Sequence, residues 1–377
     1  MAKSIICRGQ GVLKGTNDTS ELLQAGFTQK TFRRITEQYP HHPSTPTLKS
    51  YITTSVNSIA SVLSNATDNT HYPLDRFSNG NALLTLSLSS QNASYLATLT
   101  ALRNSLDLQP RNAHGGLFYF TYPFWSYLDG MYSLTPFYVL YATLLAPDAT
   151  AAAVADATLQ LDLLWDRCKD DATGLLVHGY DDSRTAVWAG PVTGASPHVW
   201  GRSLGWYLMA LVDTVEALPS REEGTRTHLL GRFRELARAV VEARDRENGV
   251  WWQVLDQPGR EGNYLESSGS AMFVYALLRG LRSGYLGEGE EKAEEWTEVA
   301  IRAYGYLVDE FVVDAGNGTL GYNGTVSVCS LNSTASYEYY VTRPILFNSV
   351  LGSNAFILAS LEYENLIGAK YGGGIGH

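Results

Sequence analysis

An acidic residue inside a dense run of aromatic residues is the first feature of this sequence that could do chemistry. Asp129 lies within the segment Tyr122–Tyr132, where most of its neighbours are aromatic or apolar. Aromatic neighbours exclude water from a carboxyl group, which favours the neutral form and raises its pKa. Enzymes keep a proton donor neutral near pH 7 in this way. The segment therefore indicates a general acid at Asp129; the alternative is an acid at a helix N-terminus beside core aromatics.

Two further segments supply polar side chains at the ends of predicted helices. Asp75 lies in a loop that enters a helix near Asn81, and His178 and Asp181 lie together in a second loop. The spacing of the second group is not that of metal ligands on a helix, and no motif for a metal or another cofactor occurs. Asp75 could instead cap a helix or stabilise a turn, and the group at 178–181 could form an Asx turn.

The start of a helix predicted over residues 200–218 carries side chains suited to an acidic sugar. Arg202 offers paired N–H groups that match a carboxylate, and Trp200 and Trp206 offer flat faces to a sugar ring. We expect Arg202 to bind the carboxylate of a substrate. The alternative is that Arg202 pairs with an internal acid such as Asp181.

Helical periodicity dominates the chain. Apolar residues recur at spacings of three and four in eight segments: 47–63, 92–105, 150–166, 200–218, 226–246, 266–283, 291–312 and 353–366. No run alternates as a half-buried strand would, so the predicted fold class is all-α. Gly201 and Gly205 lower the propensity of one helix by about 1 kcal/mol each, which indicates close approach of a bulky group or of another helix.

Four connections between helices repeat one short pattern. Each begins with glycine and continues with apolar or aromatic residues, near Gly116, Gly174, Gly249 and Gly318. A repeat of this kind is typical of helix pairs that are stacked or arranged in a circle, with equivalent loops on one face where a site would form. Without a linker or a break in composition, residues 1–377 are predicted to form one domain, and the glycine-rich tail 372–376 is expected to be loose.

Composition excludes several classes of partner. The net charge is −10 and lysine and arginine form no run, which argues against nucleic acid. No apolar run approaches the roughly 20 residues of a membrane span. Three widely spaced cysteines permit at most one disulfide. No oligomeric state is indicated.

The sequence also bears on the compartment of the protein. The first residues lack the apolar core of a signal peptide. Six Asn-X-Ser/Thr sequons nevertheless exceed the number expected by chance, at Asn17, Asn65, Asn92, Asn317, Asn323 and Asn332. We therefore expect a secreted protein whose signal peptide has been removed, with a cytoplasmic protein as the alternative.

Taken together, these segments resemble glycoside hydrolase family 105, the unsaturated rhamnogalacturonyl and glucuronyl hydrolases. The similarity rests on six segments in the order of the family: 74–75, 127–132, 178–181, 200–213, 265–268 and 337–340. The resemblance implies an (α/α)6 barrel of six helical hairpins. It also implies a substrate that carries a 4,5-unsaturated uronic acid at its non-reducing end, as polysaccharide lyases leave it.

The activity implied by the resemblance is hydration of the vinyl ether double bond of that sugar. Asp129 would protonate C4, and Asp75 would help to hold the attacking water. The implied substrate contacts are His178, Trp200, Arg202, Trp206, Tyr127 and Asp181.

One departure from the family pattern concerns the leaving sugar. Many relatives carry a His-Lys pair and a Trp ahead of the catalytic Asp, where this chain has Phe118, Tyr119 and Tyr127. Rhamnose therefore cannot be assumed in the leaving subsite. Two other functions stay open from the sequence: a glycosidase that attacks C1 of a saturated sugar, and a glycan-binding protein without catalysis.

Overall fold

The computed structural model describes residues 1–15, 18, 20–90, 92–287 and 290–371, so Asn17 and the tail 372–376 lie outside the described residues. Its α-helices, in chain order, are α1 (Ala2–Cys7), α2 (Glu21–Gln38), α3 (Thr45–Ala60), α4 (Ala66–Asn69), α5 (Gly80–Ser90), α6 (Ala93–Asp107), α7 (Asp129–Leu145), α8 (Thr150–Cys168), α9 (Gly201–Ala217), α10 (Glu223–Glu242), α11 (Ser267–Arg282), α12 (Glu290–Tyr306), α13 (Tyr337–Val341) and α14 (Val350–Tyr371). Short 3-10 helices cover Leu74–Asn79 and Pro147–Ala149, and a π-helical turn covers Leu307–Phe311.

Alternate helices of the described chain form a closed ring. The ring consists of α2, the 3-10 helix at 74–79 with α5, then α7, α9, α11 and α14, and α14 packs back against α2. The intervening helices α3, α6, α8, α10 and α12 each pack on the ring helix that precedes them, and α1 lies against α14. This arrangement is an (α/α)6 barrel, and the predicted fold class is confirmed.

Burial explains which helices form the ring and which lie outside it. In α9 nearly every residue is buried, and such a helix, apolar on all sides, must be surrounded by others. In α10 the buried apolar residues follow one stripe that includes Leu229, Phe233, Leu236 and Val240. A helix with one apolar stripe packs that stripe inwards and leaves its other face to solvent.

Glycines allow neighbouring ring helices to approach closely near the site. A Cβ atom on Gly205 of α9 would lie 2.9 Å from Cβ of Met272 in α11. A Cβ atom on Gly269 would lie 2.9 Å from the carbonyl carbon of Gly201. The glycines of α9 therefore allow close contact between helices. Of the two explanations that the sequence offered, close approach of another helix is the one observed.

The repeated connections are short, partly extended loops. Gly115, Gly174, Gly249 and Gly318 all have φ between +72° and +84°, a left-handed conformation that glycine adopts without strain. Two small antiparallel sheets form at connections, pairing β1 (Ser126–Tyr127) with β2 (Gly179–Tyr180) and β3 (Val312–Asp314) with β4 (Leu320–Tyr322). The first pair joins the loop before Asp129 to the loop of His178.

Other structural features bear on the predicted partners. The thiols of Cys7, Cys168 and Cys329 form no disulfide. None of the helices in the described part of the chain combines the length and the apolar character that a membrane span requires. Those residues also hold no group of three His, Cys, Asp or Glu side chains that could bind a metal ion.

Candidate active site

A cavity at one end of the ring brings together residues from distant parts of the chain. It has about 530 Å³ of empty volume, open solvent included. Six of the residues predicted from the sequence line it: Asp75, Tyr127, Asp129, Trp200, Arg202 and Trp206. The segment 328–330 and the ring residues Leu23 and Leu351 complete the wall.

Asp129 is the first residue of α7 and is only 8% exposed. The hydroxyl of Ser203 donates a hydrogen bond of 2.5 Å to its Oδ2, and Nε2 of His178 lies 3.2 Å from the same oxygen. None of the described residues forms a hydrogen bond with Oδ1. One carboxyl oxygen is thus held by the protein, and the other remains for a ligand in the cavity.

Asp75 is the second carboxyl group in the cavity, and it is 4% exposed. The Tyr119 hydroxyl donates a hydrogen bond of 2.5 Å to Oδ2, while Oδ1 is buried without a partner. The adjacent Arg76 gives no ion pair, because its guanidinium binds Ser105 and Gln109 instead.

The environment of Asp75 favours its neutral form. Burial raises the pKa of Asp75 to about 7, against the smaller lowering effect of the Tyr119 hydrogen bond. The negative charge of Asp129 raises the same pKa further. The cavity therefore contains a carboxylic acid that is neutral under mildly acidic conditions.

A family model described as Glycosyl Hydrolase Family 88 matches residues 26–367 of this chain. The chain belongs to this family of glycoside hydrolases. A family 105 glycoside hydrolase from C. acetobutylicum ATCC 824 has 33% sequence identity and a TM-score of 0.84, over 97% of this chain and 98% of that one. The resemblance to family 105 is confirmed.

Two other similar proteins extend the comparison. The 24.9 kDa protein in the picA locus of Rhizobium radiobacter is 38% identical over 198 residues, which cover 51% of this chain and 83% of that protein. The unsaturated glucuronyl hydrolase of Bacillus sp. GL1 has 14% identity and a TM-score of 0.66, over 97% of this chain and 94% of that one. The second similarity shows a shared fold.

Two of the predicted substrate contacts do not line the cavity. His178 is fully buried behind Asp129 and is not among the residues that line the cavity. Asp181 is also fully buried, and its carboxylate accepts hydrogen bonds from the Ser183 hydroxyl and from the backbone N–H groups of Ser183, Thr185 and Ala186. These donors stabilise an Asx-type turn. The loop of Asp181 thus supplies donors to both carboxylate oxygens, and Asp181 does not line the cavity, so its contact with substrate stays a prediction.

Arg202 lines the cavity, but its guanidinium group binds other groups of the protein. Its guanidinium donates to the carbonyl oxygens of Val326 and Ser327 at 2.6 and 2.7 Å and lies 3.8 Å from Glu266. The alternative of an internal acid partner is thus realised, with Glu266 in place of Asp181. Arg202 fixes the segment that supplies one wall of the cavity.

The tryptophans and Tyr127 form walls rather than open faces. Trp200 and Trp206 are each 1% exposed, and the Trp200 indole N–H donates to Oε1 of Gln253. The ring of Tyr127 stacks on that of Tyr119 at a centroid distance of 4.4 Å. Stacking of a sugar on the tryptophan faces stays a prediction.

Several residues of the site could not be identified from sequence patterns. Ser203 donates to Asp129, Tyr119 donates to Asp75, and the Tyr340 hydroxyl contacts His178. Ser203 is one of many small residues in the 200–213 segment, and no spacing distinguishes it. Tyr119 does lie among the aromatic residues that depart from the family pattern, so that departure was a usable signal.

Replacing Arg202 tests whether its main role is structural. Arg202→Ala leaves the buried Glu266 carboxylate without its cation and two carbonyl groups without their donor, so we expect the free energy of unfolding to fall by about 3–5 kcal/mol. The control is Arg260→Ala, because the pair of Arg260 with Glu338 is exposed to solvent and should contribute little to stability. Urea unfolding measures both. An unchanged stability with a lower kcat/KM would restore Arg202 as primarily a substrate contact.

The raised pKa of Asp75 predicts a pH-dependent stability. The folded-state pKa of about 7 exceeds the unfolded value near 3.8, so stability is greatest below the lower value and falls until pH passes 7. Asp75→Asn cannot ionise and lacks this fall. Urea unfolding at pH 5 and pH 8 should show the variant gaining roughly 3 kcal/mol relative to wild type. Parallel pH profiles would contradict the assigned pKa.

Proposed function

We propose that this protein removes a 4,5-unsaturated uronic acid from the non-reducing end of lyase-generated oligosaccharides. The observation that carries this proposal is the pair of buried carboxyl groups, Asp75 and Asp129, that face one cavity. The similar Bacillus protein is named an unsaturated glucuronyl hydrolase, which is in line with the proposal.

The first step of the proposed reaction is proton transfer from Asp129 to C4 of the unsaturated ring. The Ser203 hydroxyl holds Oδ2 of Asp129, so the proton would leave from Oδ1, the oxygen that has no partner among the described residues. Protonation of C4 moves positive charge to C5, where the ring oxygen shares it. The carboxylate formed on Asp129 stabilises that charge.

The second step is attack of water on C5. The water loses its proton to a carboxylate of the cavity, and Asp75 is suited to hold that water because it faces the same space. The product is a hemiketal at C5, which opens and allows the glycosidic bond at C1 to break.

An ultraviolet assay tests the proposed function. The double bond of a lyase-generated disaccharide absorbs ultraviolet light, and hydration removes the absorbance. Loss of absorbance with disaccharides from a glycosaminoglycan or from rhamnogalacturonan supports the proposal and identifies the leaving sugar. Turnover of a saturated nitrophenyl glycoside instead would favour a glycosidase that acts at C1, and binding without any product would favour a glycan-binding protein.

Replacing the proposed acid gives a direct test in the same assay. Asp129→Asn keeps the shape of the side chain but cannot donate the proton, so we expect kcat to fall by about 10²–10⁴-fold. The matched control is Asp68→Asn, which changes an exposed acid in the first turn of α4 and should leave kcat unchanged. A folded Asp129→Asn protein that keeps a tenth of the wild-type kcat would show that Asp129 is not the acid.

We also propose that the protein is exported and carries N-linked glycans. The sequon asparagines that the structure describes are all exposed: Asn65, Asn92, Asn317, Asn323 and Asn332. Such side chains can bear a bulky modification without unfolding the barrel. Mass spectrometry of the protein purified from its source should find hexosamine on these residues, and unmodified peptides throughout would contradict export through a glycosylating pathway.

A further inference from the structure

A buried histidine lies directly behind the proposed acid. The His178 ring has no exposed surface, and Nε2 is 3.2 Å from Oδ2 of Asp129. This contact does not form a hydrogen bond in the structure, and Nε2 is buried without a hydrogen-bond partner. Catalytic hydrogen bonds often become shorter and straighter only when substrate binds. His178 is therefore placed to act on Asp129 rather than on the sugar.

The opposite nitrogen of the same ring has a well-placed partner. The Tyr340 hydroxyl lies 2.8 Å from Nδ1 of His178, and Tyr340 has no exposed surface. Its backbone carbonyl accepts a hydrogen bond from Gln253, which also accepts from the Trp200 indole. The tyrosine is thus fixed relative to the cavity wall before any substrate arrives.

We propose that Tyr340 is a positioning residue for the acid Asp129 and that it acts through His178. By donating its hydroxyl proton to Nδ1, Tyr340 keeps the ring proton on Nε2, directed at Oδ2 of Asp129. His178 then joins the Ser203 hydroxyl as a second donor to that oxygen. The proposal rests on the role of Asp129 in the proposed function.

The pattern of donors and acceptors favours this tautomer over the other. With the proton on Nδ1, a lone pair of Nε2 would face an oxygen that already carries negative charge when Asp129 is ionised. The Tyr340 hydroxyl proton would then also lack an acceptor, since the described residues offer it no other hydrogen-bond partner. With the proton on Nε2, the Tyr340 hydroxyl has its acceptor and the ring N–H faces the Asp129 carboxyl group, and the hydrogen bond made by one nitrogen sets the state of the other.

The consequence for catalysis is orientation of the carboxyl group. Two donors from His178 and Ser203 converge on Oδ2, so rotation of the Asp129 carboxyl is restricted and Oδ1 stays available to the cavity. If one of these two hydrogen bonds is lost, the Asp129 carboxyl group rotates more freely, and its proton is on average directed less well at the substrate. Small misplacements of a reacting group can lower a rate by up to about 10²-fold without weakening substrate binding.

Replacing the tyrosine hydroxyl tests the proposal. Tyr340→Phe keeps the ring and removes the donor, and we expect kcat to fall about tenfold, the effect of one net hydrogen bond, with KM changed less than twofold. The control is Tyr337→Phe on the same short helix, whose hydroxyl donates to the carbonyls of Arg260 and Glu261. That control should leave kcat unchanged. Equal effects of both variants on kcat would show that Tyr340 is only structural.

A double-mutant cycle tests whether the effect passes through the histidine. In a His178→Ala background, Tyr340→Phe should change kcat less than twofold, because the group it orients is absent. Multiplicative losses in the double variant would overturn the proposal. The cycle can be run on any glycoside that the enzyme turns over. A negative result for Tyr340 can therefore be distinguished from an error in the proposed substrate.

The tautomer can be observed without any substrate. Nitrogen-15 NMR of histidine-labelled wild-type protein should show the His178 proton on Nε2, and Tyr340→Phe should give a mixture of tautomers. A wild-type ring with its proton on Nδ1 would overturn the proposal even if Tyr340→Phe did not fold.

Discussion

The close approach of the helix that carries Asp129 to the turn that carries Asp75 is the constraint on which the rest of the site depends. A Cβ atom on Gly130 would lie 3.0 Å from Cβ of Leu74, and one on Gly80 would lie 2.2 Å from the ring of Phe137. Any larger residue would push α7 away from the 3-10 helix at 74–79. Two glycines thus allow two carboxyl groups, distant in sequence, to share one cavity.

That proximity creates the electrostatic character of the site. A buried carboxyl group ordinarily pairs with a cation, yet Arg76 is turned away from Asp75 towards Ser105 and Gln109. Its absence from the cavity preserves a neutral acid, and the resulting cost in stability grows as the pH rises from 3.8 to about 7. Active sites commonly retain such locally unfavourable groups, and the surrounding structure supplies the compensating stability. Here the barrel supplies it through a continuous apolar core.

The sequence was most informative where physical patterns are local. Apolar stripes predicted helices such as α10, and the aromatic surroundings of Asp129 indicated it as a candidate acid, which the structure places in the cavity. The ring helices α2 and α7 were not identified by periodicity. In α2, polar residues such as Thr28 and Gln29 are buried and hydrogen-bonded to distant segments, and α7 is buried around most of its circumference. The buried polar residues interrupt the apolar pattern of α2 and hide its helical period.

Side-chain roles depended on partners that lie far away in the chain. Residue types at 75, 129 and 202 suggested a site for an acidic sugar, and the structure brings all three to one cavity. Arg202, however, binds carbonyl groups more than 120 residues downstream. Asp181 binds only its immediate neighbours. The spacing of residues in the sequence does not tell a side chain with distant partners from one with local partners. The partners are decided by which backbone groups the fold leaves without a hydrogen bond.

Closure of the ring by α14 also affects when the protein can become active during its synthesis. Asn354 of α14 donates a hydrogen bond to Thr28 of α2, and Leu351 and Leu23 from the same two helices line the catalytic cavity. Contacts between segments so far apart carry a high entropic cost and form late in folding. A nascent chain that has emerged from the ribosome only through α12 lacks one wall of the cavity. Its carboxyl groups would then be more hydrated, so the buried environment of Asp75 and Asp129 is complete only when the last ring helix has docked.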